Sequence, residues 1–421
     1  MLLRALIATL LATPVLAAPT VATNPPLAAP TPETEAVYLQ RFQAMASSRS
    51  GELPAYDPLE PVPGAAKPTP LPRGSDGIDP AALKAATDYA ATQNSSSLLV
   101  LHRGRLVGEY YAPGRTAADT IVSKSLAKPL TALVVGRALM LGKVKSLDQP
   151  VADFITEWKG TPKAAILVRH LLDMRSGLLA QGFEPTPQSI WNRAYLHPNH
   201  DHVMVNDYPL TDPPGTRYEY SNVTSDLVAL LIERATGRRY AEFVSTEILK
   251  PIGAAGGQVW LNRPGGLAHS GCCIMLPPES WARIAVLLAN DGFIGKTRLL
   301  PAGYVTAMRT PTKQNPWYGL GVYVAGPFIE RRGFANPTRP GRKVLHGEPY
   351  HAADLFLFDG NSNQAVWIVP SEQLVIVRTG EWGKRDGADE WDNSRIPNLI
   401  MAGITRKPGE QAPPPQPRDE D

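Results

Sequence analysis

Cysteine is nearly absent: the chain has two in 421 residues, and those two, Cys272 and Cys273, are neighbours. A bridge between neighbours closes no loop, so a disulfide framework is excluded as the source of stability. The expected state is a pair of buried or half-buried thiols. A surplus of one charge is missing as well. The 42 Lys and Arg against 39 Asp and Glu leave a net +3, and no basic stripe gathers on one segment, which excludes a nucleic-acid footprint. Beyond the first residues, no run reaches the ~18 apolar residues a membrane helix needs, so stable membrane insertion is not expected. Proline, by contrast, is plentiful: the 42 present are roughly twice the usual share. Hydrophobic residues at 43% supply enough apolar material for a sizeable core, and a wholly disordered chain is excluded.

The prolines and the apolar start divide the chain. Residues 1–18 carry Arg4, an apolar stretch and the small residues before a cut at Ala17-Ala18. That pattern reads as a secretory signal peptide, so the mature protein is expected in the bacterial periplasm or secreted. Residues 19–77 form a Pro-rich leader with one short helix about Glu35 to Met45, which either wraps the domain or stays mobile. Residues 406–421, with Pro413-Pro414-Pro415, read as a disordered tail. The folded unit, 78–405, opens on Asp79-Pro80, a helix cap followed by Pro at the first helical position. A hairpin is expected around Arg103-Gly104. Further strands are expected over 318–324, 354–358, 365–369 and 374–378. Mostly helical material lies between, about 125–265, followed by a helix at 281–289. Strands and helices that segregate in this way predict an α/β (α+β) fold: an antiparallel sheet of five or more strands, flanked by helices, with an inserted helical region.

Three short stretches carry candidate chemistry. Ser125-Leu126-Ala127-Lys128 is expected to open a long helix, where residues three apart share a face and free N–H groups await an anion. Alone, Ser and Lys at this spacing read equally as a cap and a solvated amine. Tyr220-Ser221-Asn222 stands in a turn ahead of a helix. An ordinary phenol is a poor base, so Tyr220 becomes useful only with Lys128 beside it. Asp359-Gly360-Asn361 ends one late strand, where a glycine would let a substrate approach and the Asn361 N–H would serve an oxyanion. It equally suits a hairpin turn.

Taken in order, these stretches resemble the serine β-lactamase and penicillin-binding-protein superfamily, in its class C-like branch of esterases and 6-aminohexanoate-dimer hydrolases. His170-Leu171-Leu172-Asp173-Met174-Arg175-Ser176-Gly177 is similar to a segment of that branch, as is Pro214-Gly215 ahead of Tyr220. The resemblance implies a serine hydrolase that cleaves an ester or amide bond of a small substrate. Ser125 would be the nucleophile, with Lys128 and Tyr220 moving protons, Asn222 orienting Lys128 or a substrate amide, and Gly360 and Asn361 at the oxyanion site. It implies no cofactor and no metal. A peptidoglycan D-peptidase, a β-lactamase or a non-catalytic penicillin-recognising relative stands as the alternative.

Departures from the family pattern sharpen the expectation. Phe358-Asp359-Gly360 stands where class C β-lactamases carry Lys-Thr-Gly, so penicillinase activity is not expected. Arg378-Thr379-Gly380 looks like the missing motif one strand too late and is read as a decoy. His197, His200, Asp201 and His202 fall in a loop-like stretch and are expected to face substrate or solvent rather than bind a metal. Trp191, Tyr195 and Tyr208 either line a pocket or form a small core.

Overall fold

The computed structural model describes residues 26–48, 53–75, 77–333, 335–338, 340–341 and 343–418. The expected signal peptide, residues 1–18, lies outside the described residues. No described helix is long and apolar enough to cross a membrane.

Six strands form the central sheet: β1 (Ser95–His102), β2 (Arg105–Tyr111), β3 (Tyr323–Val324), β4 (Phe356–Gly360), β5 (Gln364–Val369) and β6 (Leu374–Gly380). Their spatial order is β2-β1-β6-β5-β4-β3, with every neighbouring pair antiparallel. The expected strand at 318–324 shrinks to its last two residues, because Gly321 takes φ +73° and breaks the extended run. The central strands are apolar on both faces, and their period of two sorts them into two cores. Leu98, Val100, Trp367 and Ile376 face one side, with Ala86 and Ala90 of α2 (Pro80–Thr92 in chain order after α1, Pro32–Ser47). Leu99, Leu101, Ile368 and Val375 face the other, with Trp281, Ala285 and Leu288. As the capping pattern predicts, the Asp79 side chain accepts from the Ala81 N–H at the start of α2.

The helical region contains α3 (Lys128–Met140), α4 (Ile190–Leu196), α5 (Asn222–Thr236) and α6 (Tyr240–Val244). After it come α7 (Pro278–Ala289), on the second face of the sheet, and α8 (Arg395–Ala402), which packs beside α2 on the first. A smaller sheet joins the two regions. Its strands, in spatial order, are Leu59–Val62, Gly257–Trp260, Ile274–Leu276 and Ile121–Val122.

The described parts of both flanking segments are docked. In the leader, Tyr38, Phe42 and Met45 of α1 are buried, Tyr38 Oη donates to Pro187 O at 2.6 Å, and Leu59–Val62 pairs with Gly257–Trp260. The tail, expected to be disordered, is held instead through Arg418. Gln416 is 5% exposed, its N–H donates to Tyr350 O, and its amide reaches Ala325 O at 2.7 Å. Proline removes donors without preventing an extended strand from docking through its remaining polar groups.

Candidate active site

Ser125 does not open a long α-helix as expected. It lies on a 3₁₀ turn, Lys124–Ala127, and α3 begins at Lys128, with Pro129 in its first turn. The difference matters physically. Residues three apart are eclipsed on a 3₁₀ turn, and Lys128 Nζ lies 3.1 Å from Ser125 Oγ. The turn is entered through Lys124 at φ +51°, a left-handed conformation that costs a non-glycine residue free energy and clusters at functional sites. Tyr56 of the leader braces it, its hydroxyl accepting from Lys124 Nζ at 2.9 Å.

Lys128 is 1% exposed and its amine is fully engaged. Besides Ser125 it donates to Asn222 Oδ1 at 2.7 Å and to the carbonyl of Gly271 at 2.9 Å. Burial holds its proton affinity well below the ordinary lysine range, against the opposing pull of Asp226. Tyr220 presents its ring face to the same amine, with Nζ 4.5 Å from the ring centroid. Burial pushes the phenol well above the usual range, opposed by the Ser125 hydroxyl beside it. Between these two partners, the amine is therefore the group that gives up its proton near neutral pH, while the phenol stays protonated.

Asn222 reaches this point because Ser221 caps α5, its side chain accepting from Thr224 N–H. The Asn222 N–H in turn donates to Gln181 Oε1 at 2.8 Å, so Gln181, which the sequence did not single out, contributes directly to the site. Gly360 ends β4 where only β5 continues beside it, since β3 pairs no further than Phe356 and Leu357. A Cβ at Gly360 would stand 2.9 Å from Leu126 N, 3.0 Å from Ser123 O and 3.2 Å from Ser125 N. The strand end thus lies backbone to backbone against the Ser125 turn, with Asn361 next in the chain. Five of the six expected site residues, all but Asn361, are tied to one another by these contacts, and Asn361 adjoins Gly360.

The Beta-lactamase family profile matches residues 88–395. The chain belongs to the beta-lactamase family. It is 22% identical over 317 residues to the 6-aminohexanoate-dimer hydrolase of Paenarthrobacter ureafaciens, an alignment that covers 69% of this chain and 74% of that one. Among solved structures, a penicillin-binding protein homolog from Caulobacter crescentus superposes with a TM-score of 0.56 at 15% identity, over 78% of this chain and 99% of the other. EstCE1, described as a hydrolase with promiscuous acyltransferase activity, does so with a TM-score of 0.57 at 14% identity, over 77% and 98%. At these identities the structural likeness establishes the fold: helices and antiparallel sheet in the arrangement of the β-lactamases.

In this family member several sequence expectations are corrected. Cys272 and Cys273 are not thiols but a disulfide between neighbours, with Cys273 in the left-handed region at φ +66°. Both are buried in the core, 3.9 Å from the Tyr195 hydroxyl. His197, His200 and Asp201 are buried rather than facing substrate or solvent. His200 stacks on His269 at 4.1 Å, and Asp201 pairs with Arg263 at 3.0 Å. Trp191 and Tyr195 form an aromatic core with Trp260 rather than an open pocket wall. Tyr208 is buried too. Arg378 is no substitute for the missing lysine, as expected, yet it serves the site: it is fully buried and donates to the carbonyls of Ser362 and Asn363, in the turn that carries Asn361. Arg332, which sequence reading passed over, is buried with its guanidinium 3.8 Å from Asp359.

Proposed function

We propose that the chain is a serine hydrolase that cleaves an ester or amide bond of a small substrate through an acyl-Ser125 intermediate. The observation that carries this reading is Lys128: a buried amine, depressed in proton affinity, 3.1 Å from a serine hydroxyl. A neutral amine accepts the Ser125 proton as Oγ adds to the carbonyl carbon. The negative charge that develops on the carbonyl oxygen is met by the backbone N–H groups of Ser125 and Asn361. Lys128 then returns the proton to the departing alcohol or amine. In the second half-reaction Lys128 takes a proton from water as the water oxygen adds to the acyl carbon; the bond to Ser125 Oγ then breaks, the acid product leaves, and Lys128 returns the proton to Oγ. Tyr220, held as a neutral phenol, relays protons between Ser125 and the leaving group, and Asn222 fixes the amine. The name of one relative, 6-aminohexanoate-dimer hydrolase, supports a small amide substrate. Phe358 places no ammonium at the end of β4, which favours such substrates over penicillins. Export through residues 1–18 belongs to the same proposal and is tested by N-terminal sequencing of protein recovered from the periplasm or medium.

The test is intact-protein mass after exposure to a fluorophosphonate, comparing wild type with Ser125→Ala. One adduct on wild type and none on the variant is the expected result, and p-nitrophenyl esters and short amides then identify the substrate. No adduct on folded wild type overturns the reading.

A further inference from the structure

A buried carboxylate behind Lys128 has no part in the mechanism above. Asp226 follows Asn222 by one turn of α5 and is 1% exposed. Its Oδ1 accepts the backbone N–H of Gly271 at 2.7 Å, and its Oδ2 faces His269 Nδ1 at 3.1 Å. The carbonyl of the same Gly271 accepts from Lys128 Nζ at 2.9 Å. One residue thus joins carboxylate to amine, its N–H turned to Asp226 and its C=O to Lys128, and hydrogen bonds in such a chain polarise one another. The placement is tightly defined. A Cβ at Gly271 would lie 2.4 Å from Ser225 Cβ, and Ser270 Oγ donates to Ser225 O at 2.9 Å.

The other groups around Asp226 come from several elements. His269 is sandwiched between Trp260 at 3.8 Å and His200 at 4.1 Å. Tyr240 of α6 feels the carboxylate, and the Asp201–Arg263 pair acts on His200 from beyond. Arg41 of α1 acts on His269. His200, Asp226 and His269 bring ligand atoms within 4.8 Å of one another. The two rings are nearly parallel, 16° apart, so their in-plane lone pairs run side by side instead of converging as a tetrahedral metal site requires.

We propose that Asp226 is a positioning residue for Lys128: through Gly271 it aims the carbonyl that orients the amine, and its negative charge sets how readily that amine takes the Ser125 proton. The inference rests on the Ser125–Lys128 reading above. Burial holds Lys128 down and Asp226 pulls it up; burial pushes the Asp226 carboxyl itself up, against the pull of His200, the Gly271 N–H and Lys128. Burial keeps His200 and His269 far below the ordinary histidine range and keeps Tyr220 and Tyr240 protonated. The acid limb of Ser125 reactivity therefore belongs to the Lys128–Asp226 pair, the two groups left to titrate there. Removing the carboxylate charge destabilises the ammonium, the neutral amine persists to lower pH, and the limb moves down.

The experiment is the second-order rate of fluorophosphonate labelling against pH for wild type and Asp226→Asn, with folding checked by circular dichroism. The asparagine keeps an acceptor for Gly271, removes the charge and turns an amide NH2 towards His269 Nδ1. The expected result is a limb about one pH unit lower, a neutral-amine fraction about tenfold larger on the acid side that the lower plateau reduces to about threefold faster labelling. The plateau falls about threefold, because a weaker base is a poorer one. An unchanged midpoint, with rates lowered equally at every pH, overturns the inference and leaves Asp226 a structural residue. Should that variant not fold, His269→Leu takes away the carboxylate's donor and must shift the limb in the same direction; no shift there overturns the inference as well. Failure of folded wild type to label at any pH overturns the Ser125–Lys128 reading and this inference with it. Labelling of wild type with unshifted variants overturns this inference alone.

Discussion

Gly360→Ala tests whether the end of β4 and the Ser125 turn form one site. The new methyl carbon would stand 2.9 Å from Leu126 N, 3.0 Å from Ser123 O and 3.2 Å from Ser125 N. All three neighbours are backbone, so no side chain can swing away. Comfortable non-bonded separations begin near ~3.5 Å, so strand and turn must part by about 0.5 Å. That is the tolerance within which a catalytic constellation keeps its productive geometry, and a displacement of about 1 Å costs about a hundredfold. The expected loss is therefore about tenfold in kcat/KM. It should fall on kcat, because the separation moves the proposed oxyanion donors, Ser125 N–H and Asn361 N–H, apart while leaving ground-state binding alone. Overpacking of this kind also destabilises by about 1–3 kcal/mol. The assay is hydrolysis of a p-nitrophenyl ester with a parallel denaturant melt. Gly341→Ala, where a Cβ meets nothing within 4 Å, is the control and should be silent in both. Wild-type kcat and stability in Gly360→Ala would refute the close approach and the oxyanion site built on it.

Two further outcomes are expected. Arg378 donates to the carbonyls of Gln93, Glu381, Ser362 and Asn363 and to Ser95 Oγ; Arg378→Met strands these buried acceptors and should cost about 3–5 kcal/mol in a urea melt, with Arg378→Lys recovering only part because it lacks the fork of donors. A change under about 1 kcal/mol would show that the β4–β5 turn is held by other means. Stability should also fall as pH drops from 6.5 towards 4. Burial lowers His170 and His197 to about 4, and each accepts a backbone N–H at Nδ1, so below 6.5 the unfolded chain binds protons that the folded one refuses. Each should contribute about 2–3 kcal/mol to the loss by pH 4. A urea midpoint that is flat between pH 7 and 4.5, or unchanged in slope in His197→Asn, would contradict this.

Where the signal is local, the sequence alone was sufficient. Asp79-Pro80 starts α2 because a cap and a fixed φ act within a few residues. The strands β1, β5 and β6 are visible as apolar runs because they are buried on both faces. Ser125 and Lys128, three apart, needed only a tight turn to meet. The family resemblance read from Tyr220, Asn222 and Gly360 rests on short segments of this kind, and the family assignment follows it. What the tertiary structure decided depends on partners far along the chain. The docking of the Pro-rich leader and tail depends on surfaces far along the chain, Pro187 for Tyr38 and Ala325 for Gln416. Arg378 looks like a misplaced motif until Gln93, across 285 residues, fills one of its bonds. His200 reads as part of a polar loop, yet it is buried and stacks on His269, which itself stacks on Trp260. Asp226 and Lys128 are joined through Gly271, 45 residues beyond Asp226, whose N–H meets the carboxylate and whose carbonyl meets the amine. A side chain's type and spacing determine what it can donate or accept. Its desolvation, and so the proton affinity that chemistry draws on, is determined by whichever distant segments close over it.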